Sequence, residues 1–143
     1  HQSFHPQIKA ELNALENADV LIFNFPLWWF GMPAILKGWV DKVLAYTFAY
    51  GGTYGLYKEG RFKGKKAFLS ITTGSPKDFY THEGMHGRTI EDILKNIHGG
   101  ILELIGFETL PPFVGYSVSR IPDKEREQLL RDYKHYLDHN VSS

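Results

Sequence analysis

Val20-Leu21-Ile22-Phe23-Asn24-Phe25-Pro26-Leu27-Trp28-Trp29-Phe30-Gly31-Met32-Pro33 begins as an apolar stretch that reads as a buried strand. It continues as an aromatic loop and ends in a proline of the kind that opens helices. Ligands of open α/β sheets settle at the carboxyl ends of strands, which is where Trp28, Trp29 and Phe30 fall. Three consecutive large aromatics suit the wall of a pocket for a flat ring better than they suit a solvated loop. Taken alone they also suit a core or dimer contact, since interfaces favour aromatics.

Reading outward from this stretch, Ile8, Leu12 and Leu15 follow Pro6 at helical spacing and predict an amphipathic helix over 7–17. The strand itself spans 19–25, apolar on both faces as in a sheet covered on both sides. After Pro33, one helix face carries Ile35, Leu36, Trp39, Val40, Val43 and Leu44, with Ile35, Trp39 and Val43 read as core. Residues 46–64 form a long connection rich in aromatics and glycine. A second strand is expected at 66–72 and a polar loop at 73–88. The helix predicted over 89–105 is weakened at Gly99-Gly100 by about 1 kcal/mol per glycine, and Gly106 serves as its C-cap. Residues 107–116 hold a third strand interrupted by Pro111-Pro112, and Pro122 opens a last helix running to about 139. Its start, Asp123-Lys124-Glu125-Arg126-Glu127, reads as solvated, with acidic groups near the positive end of the helix dipole.

Strands alternating with helices give an α/β fold, a doubly wound parallel sheet in three αβα layers. Three strands are few for such a sheet, and the phosphate-gripping turn that usually follows its first strand is not seen. The chain therefore reads as a single domain over 1–143, the C-terminal part of a longer one, with an incomplete sheet. It begins His1-Gln2-Ser3 without an initiator methionine, consistent with a fragment or a processed product.

Composition agrees with a folded domain. The 143 residues are 43% hydrophobic and 22% charged, with zero formal net charge and no cysteine. Charge balance excludes the basic surplus of a nucleic-acid binder. No apolar run reaches the roughly 18–20 residues that cross a bilayer. Disulfides and thiolate metal sites are impossible without cysteine. With no signal-peptide pattern in these residues, a cytoplasmic location is the expectation.

A second segment, Thr72-Thr73-Gly74-Ser75-Pro76-Lys77-Asp78-Phe79-Tyr80-Thr81-His82-Glu83-Gly84-Met85-His86-Gly87, also leaves the carboxyl end of a strand and should meet the aromatic loop in space. Its hydroxyls, its glycine turn, Tyr80 and His86 are donors suited to the polar edge of a ring. The phenol and the imidazole could together compensate negative charge arising there.

These residues resemble one family. Phe25-Pro26-Leu27-x-Trp29-Phe30-Gly31-x-Pro33-Ala34-Ile35-Leu36-Lys37-Gly38-Trp39, then Phe48-Ala49-Tyr50, Leu69-Ser70-Ile71-Thr72-Thr73-Gly74 and Tyr80-x5-His86-Gly87 resemble the flavodoxin-like NAD(P)H:quinone reductases of the DT-diaphorase type. The resemblance implies a homodimer with one FAD per subunit, passing hydride from NAD(P)H to the flavin and then to a quinone in a two-electron ping-pong cycle. It implies that Leu27, Trp28, Trp29 and Phe30 line the isoalloxazine and that Thr72, Thr73, Gly74 and Ser75 bond its polar edge. It assigns Tyr80 and His86 to charge relay, and Tyr50 and Tyr54 to covering nicotinamide and quinone.

The chain departs from that pattern in four places. Trp28 stands for a more usual polar residue or tyrosine. Ser75-Pro76 replaces a second glycine, and one residue is inserted near Gly51-Gly52-Thr53. The family's first strand, phosphate-binding turn and following helix and strand have no counterpart, so weak or absent flavin binding by these residues alone is expected. The expected source of that gap is an N-terminal segment of a longer protein. Without a neighbour for the strand at 19–25, an open sheet edge also invites wrong pairing. Two alternatives stand beside the enzyme: an ancillary regulatory subunit of a potassium-efflux transporter, and an FMN-dependent azoreductase. His1, His5, His82, His98, His135 and His139 receive no functional reading. His135 and His139 are four apart on a helix but lack a third metal ligand.

Overall fold

The computed structural model describes residues 5–141, and His1 lies outside them. A helix, α1 (Pro6–Asn17), precedes strand β1 (Val20–Pro26), and α2 (Ala34–Val43) connects β1 to β2 (Lys66–Thr72). The third helix, α3 (Ile90–Ile97), continues as a π-helical turn, His98–Glu103. Two short strands, β3 (Glu108–Thr109) and β4 (Phe113–Gly115), then lead to α4 (Asp123–Asn140).

The sheet is parallel throughout. β2 is central, pairing with β1 from Val20↔Lys66 to Pro26↔Thr72. Its other edge takes β3 at Lys66↔Glu108 and Ala67↔Thr109, then β4 from Ser70↔Phe113 to Thr72↔Gly115. Between Ala67 and Ser70 the partner edge uses one more residue than β2 does. That is a bulge, and it falls where Pro111 and Pro112 have no N–H to give the ladder. The third strand expected over 107–116 is therefore two strands on one edge.

Alternation along β2 divides the layers. Ala67, Leu69 and Ile71 enter the main core with Phe23 and Phe25 of β1, Leu12 and Leu15 of α1, Val40 and Val43 of α2, and Ile90, Leu94 and Ile97 of α3. Phe68 faces the other way and is sealed by Tyr133 and Tyr136 of α4, with ring centroids 6.5 and 5.0 Å away. The three-layer α/β arrangement thus forms as expected. β1 corrects one expectation, for it is covered on one face only: Phe23 and Phe25 are buried, while Ile22 and Asn24 are exposed. Among the described residues α4 spans β2 and β4 but does not reach across β1. Ile35 is a second correction. It is 87% exposed, projecting beside the apolar trough that Leu21, Phe23, Phe25, Leu36 and Trp39 form along β1. Trp39 packs edge-on against Phe23 at 5.7 Å as expected.

The helix predicted over 89–105 keeps its α-helical form only to Ile97. Gly99 and Gly100 fall in the wider π turn, where small residues cost the chain least. Gly106, at φ 107°, ends the segment. Among the described residues no helix is long and apolar enough to cross a membrane.

Candidate active site

β1 does not simply stop at Pro26. The Leu27 amide donates to the Thr72 carbonyl at 2.8 Å, carrying the β1–β2 pairing into the loop. Trp28 and Gly31 then exchange two backbone hydrogen bonds, N to O at 3.1 and 2.9 Å, closing a tight turn over Trp29 and Phe30. Both central residues have positive φ, 52° and 58°, the geometry of a type I′ turn that favours Asn and Gly. Left-handed backbone costs a side-chain-bearing residue about 1–2 kcal/mol. Trp29, fully exposed, and Phe30, 39% exposed, are held there at a cost that core packing does not explain. Strain of this kind collects at ligand sites.

β2 delivers the second loop to the same end of the sheet. Thr73 is buried; its amide donates to Gly115 O at 2.9 Å and its hydroxyl to Ser75 O at 2.8 Å. Among the described residues the amides of Trp29, Phe30, Gly74 and Ser75 have no partner. Two neighbouring loops therefore offer four free donors among the described residues. Beyond Ser75 a single 3-10 turn, Lys77–Phe79, places Tyr80 in the core, and the His86 amide returns to the Phe79 carbonyl at 3.0 Å. That fold-back needs a glycine at 84, because a Cβ there would lie 2.4 Å from the Asp78 carbonyl oxygen.

The loop brings three rings around one imidazole. His86 has its centroid 4.7 Å from Tyr80, 5.0 Å from Phe30 and 5.7 Å from Phe79. Its Nε2 is buried without a hydrogen-bond partner, a costly state for a polar nitrogen. No hydrogen bond joins Tyr80 to His86 among the described residues. The two are packed side by side, each free to serve a third group. A donor set of backbone amides, a buried imidazole nitrogen and a phenol, walled by exposed aromatics, fits a planar ring with an electronegative edge.

Two neighbours were not anticipated from sequence. Tyr116, just past β4, has its ring 5.7 Å from Tyr80, and burial, with Glu91 and Tyr80 adding to it, pushes its hydroxyl above the usual phenol range. The Arg88 guanidinium lies over Phe30 at 5.9 Å. The position of Tyr116 at a strand's carboxyl end was the available signal; Arg88 offered none.

Tyr50 and Tyr54 do not join this cluster within the chain. α2 runs from the carboxyl end of the sheet toward its amino end, and the loop after it stays there. Tyr54 lines a recess with Glu16, Arg61, Phe62 and Lys65, beside the starts of β1 and β2. A seven-residue strand, about 20 Å, separates them from Thr72. Leu27 and Thr72 are half-buried, while Gly74 faces open space.

A profile of the flavodoxin-like fold family matches residues 1–138. NAD(P)H dehydrogenase (quinone) 1 of Rattus norvegicus is 47% identical over 134 residues, covering 93% of this chain and 48% of the rat protein. Ribosyldihydronicotinamide dehydrogenase (quinone) of Homo sapiens is 36% identical over 136 residues, covering 95% of this chain and 58% of the human one. Among solved structures, general stress protein 14 of Treponema denticola in complex with FMN aligns with a TM-score of 0.77 at 32% identity, covering 92% of this chain and 71% of that one. The chain thus spans about half the length of the curated relatives it matches.

Proposed function

Because the chain belongs to the flavodoxin-like fold family, we propose that it carries the reaction site of a flavin-dependent NAD(P)H:quinone oxidoreductase. One observation carries the reading: two adjacent loops at the carboxyl end of the sheet bring a strained, exposed aromatic turn against His86, whose Nε2 is buried and unpartnered, and leave four backbone amides without partners among the described residues. The quinone-reducing relatives support the substrate class.

A flavin bound there would supply two-electron hydride chemistry between NAD(P)H and a quinone. Leu27, Trp28, Trp29 and Phe30 hold and orient its ring by packing. The amides of Gly74 and Ser75, with Thr72 and Thr73 shaping their loop, fix its polar edge. His86 Nε2 and the Tyr80 hydroxyl would offer protons or hydrogen bonds to negative charge at that edge, the pre-arranged compensation that lowers barriers most. FAD is the cofactor we assign; FMN, held by the Treponema relative, is its competitor, and the mass of flavin released from the protein separates them. Since Tyr50 and Tyr54 sit at the far end of the sheet from Tyr80 and His86, covering of the substrate falls to a second copy, and the protein is a cytoplasmic homodimer.

Substitution of either Tyr80→Phe or His86→Ala in the full-length protein is expected to slow flavin reduction by about 10–10³-fold and to leave flavin content unchanged. Stopped-flow reduction at the parent rate in both variants would refute the charge-relay roles. Protein that purifies colourless and leaves menadione unreduced with NADPH would refute the enzyme.

A further inference from the structure

One side chain braces the loop bearing Tyr50 and Tyr54 against the rest of the fold. Arg61, only 17% exposed, places its guanidinium 4.6 Å from the ring centres of both Phe48 and Tyr54 and 5.8 Å from that of Phe62. The same fork donates to the Tyr54 hydroxyl and pairs with the Glu16 carboxylate near the end of α1. Lys65 secures that helix end by donating to the carbonyls of Leu15, Glu16 and Ala18 at 3.3, 2.5 and 2.5 Å. A planar cation that stacks on aromatics while bonding a phenol and a carboxylate is a task lysine cannot perform.

The rest of the loop is tied down between those anchors. Ala49 is fully buried, and the Thr47 amide donates to the Tyr50 carbonyl at 2.8 Å. Gly51, at φ 74°, lies against the Tyr46 ring, where a Cβ would approach to 2.2 Å. Tyr46 in turn meets Tyr50 edge-on at 5.7 Å. Tyr50 is left 41% exposed, and its hydroxyl has no partner among the described residues. The two tyrosines therefore differ: one hydroxyl is engaged inside the chain and the other is presented outward.

Resting on the proposed oxidoreductase, we infer that Arg61 is a positioning residue that sets the substrate-covering Tyr50, and that the Tyr54 hydroxyl serves Arg61 rather than the substrate. The test uses the full-length protein with Tyr54→Phe, Arg61→Lys, Arg61→Met and the Tyr54→Phe/Arg61→Met double variant. Its readouts are menadione kinetics and amide hydrogen exchange over residues 46–55. Arg61→Met is expected to raise KM for menadione about 3- to 10-fold with kcat within twofold and to speed exchange in the loop. Arg61→Lys should restore part of both effects. Tyr54→Phe should raise KM in the parent background and add nothing to Arg61→Met.

A further KM increase on adding Tyr54→Phe to Arg61→Met would put that hydroxyl on the substrate and overturn the assignment. Faster exchange with unchanged KM would make Arg61 a structural residue only, and also overturn it. Should Arg61→Met fail to fold, Tyr54→Phe decides by exchange: a raised KM with faster exchange over residues 46–55 supports the assignment, and a raised KM with unchanged exchange puts that hydroxyl on the substrate and overturns it. A parent that reduces no quinone removes the oxidoreductase and the positioning role with it. In that case the Arg61–Tyr54 coupling is still visible in exchange, so the two failures are told apart.

Discussion

Trp29 and Phe30 hold backbone angles that asparagine or glycine would adopt more readily, and Trp29 buries nothing in the chain. Their retention in a left-handed turn trades stability for a presented aromatic surface. Trp29→Gly is therefore expected to leave thermal stability at or slightly above the parent, within about 1 kcal/mol, while lowering flavin content; a calorimetric scan beside an absorbance spectrum measures both. His98 is a different case. Its Nε2 is buried without a partner, and burial outweighs the pull of Glu103 and Glu91, holding the imidazole below its ordinary value of 6.5. Well above pH 6.5 it is neutral whether folded or unfolded and contributes no pH dependence. As pH falls through that value the unfolded chain takes the proton first, so stability declines. His98→Gln should flatten the fall of Tm between about pH 7 and 5, and an unchanged slope would show that other groups govern it.

Elements carry the site through their ends more than through their middles. α3 begins with a reciprocal capping box, Thr89 Oγ1 accepting from the Asp92 amide at 3.1 Å and Asp92 Oδ2 from the Thr89 amide at 3.1 Å. This cap lies three residues beyond His86, so it also fixes where the imidazole loop re-enters the fold. Thr89→Ala should cost about 0.5–2 kcal/mol, seen as a lower denaturant midpoint at constant m-value. The π turn that follows and the bulge before β4 are local faults with local causes: paired glycines in one, paired prolines in the other. Periodicity predicted the helix and the strand. It could not predict the extra residue in each, because a window of apolar spacing does not report which backbone hydrogen bonds close.

At the scale of the whole molecule, the sheet has two working ends. The carboxyl end bears Trp28, Trp29, Phe30 and the Thr73–His86 donors; the amino end bears Tyr50 in a loop fastened through Arg61. The proposed site would draw its ring and polar-edge contacts from the described residues, among which no glycine-rich turn between a strand and a helix stands ready to grip a pyrophosphate. Expressed as these 143 residues alone, the chain is expected to lose added FAD on exhaustive dialysis. A longer form that adds such a turn should remain yellow, with visible flavin absorbance as the measure. Retention of stoichiometric FAD by residues 1–143 would show that the ring contacts suffice.

The amino-acid order by itself determined the alternation of helices and strands, the aromatic turn after β1, the donor loop after β2 and the tyrosine–histidine spacing. Each of these is written in neighbouring residues, where side-chain type, periodicity and turn chemistry act over a few positions. Both loops leave the carboxyl ends of strands, so their meeting was legible as well; only tertiary structure decided that Phe30 packs on His86 there, that Tyr54 turns to Arg61, and that Ile22 and Ile35 stay exposed. Those outcomes depend on strand register and on which helix covers which face, and such long-range packing leaves no mark in any short stretch of chain.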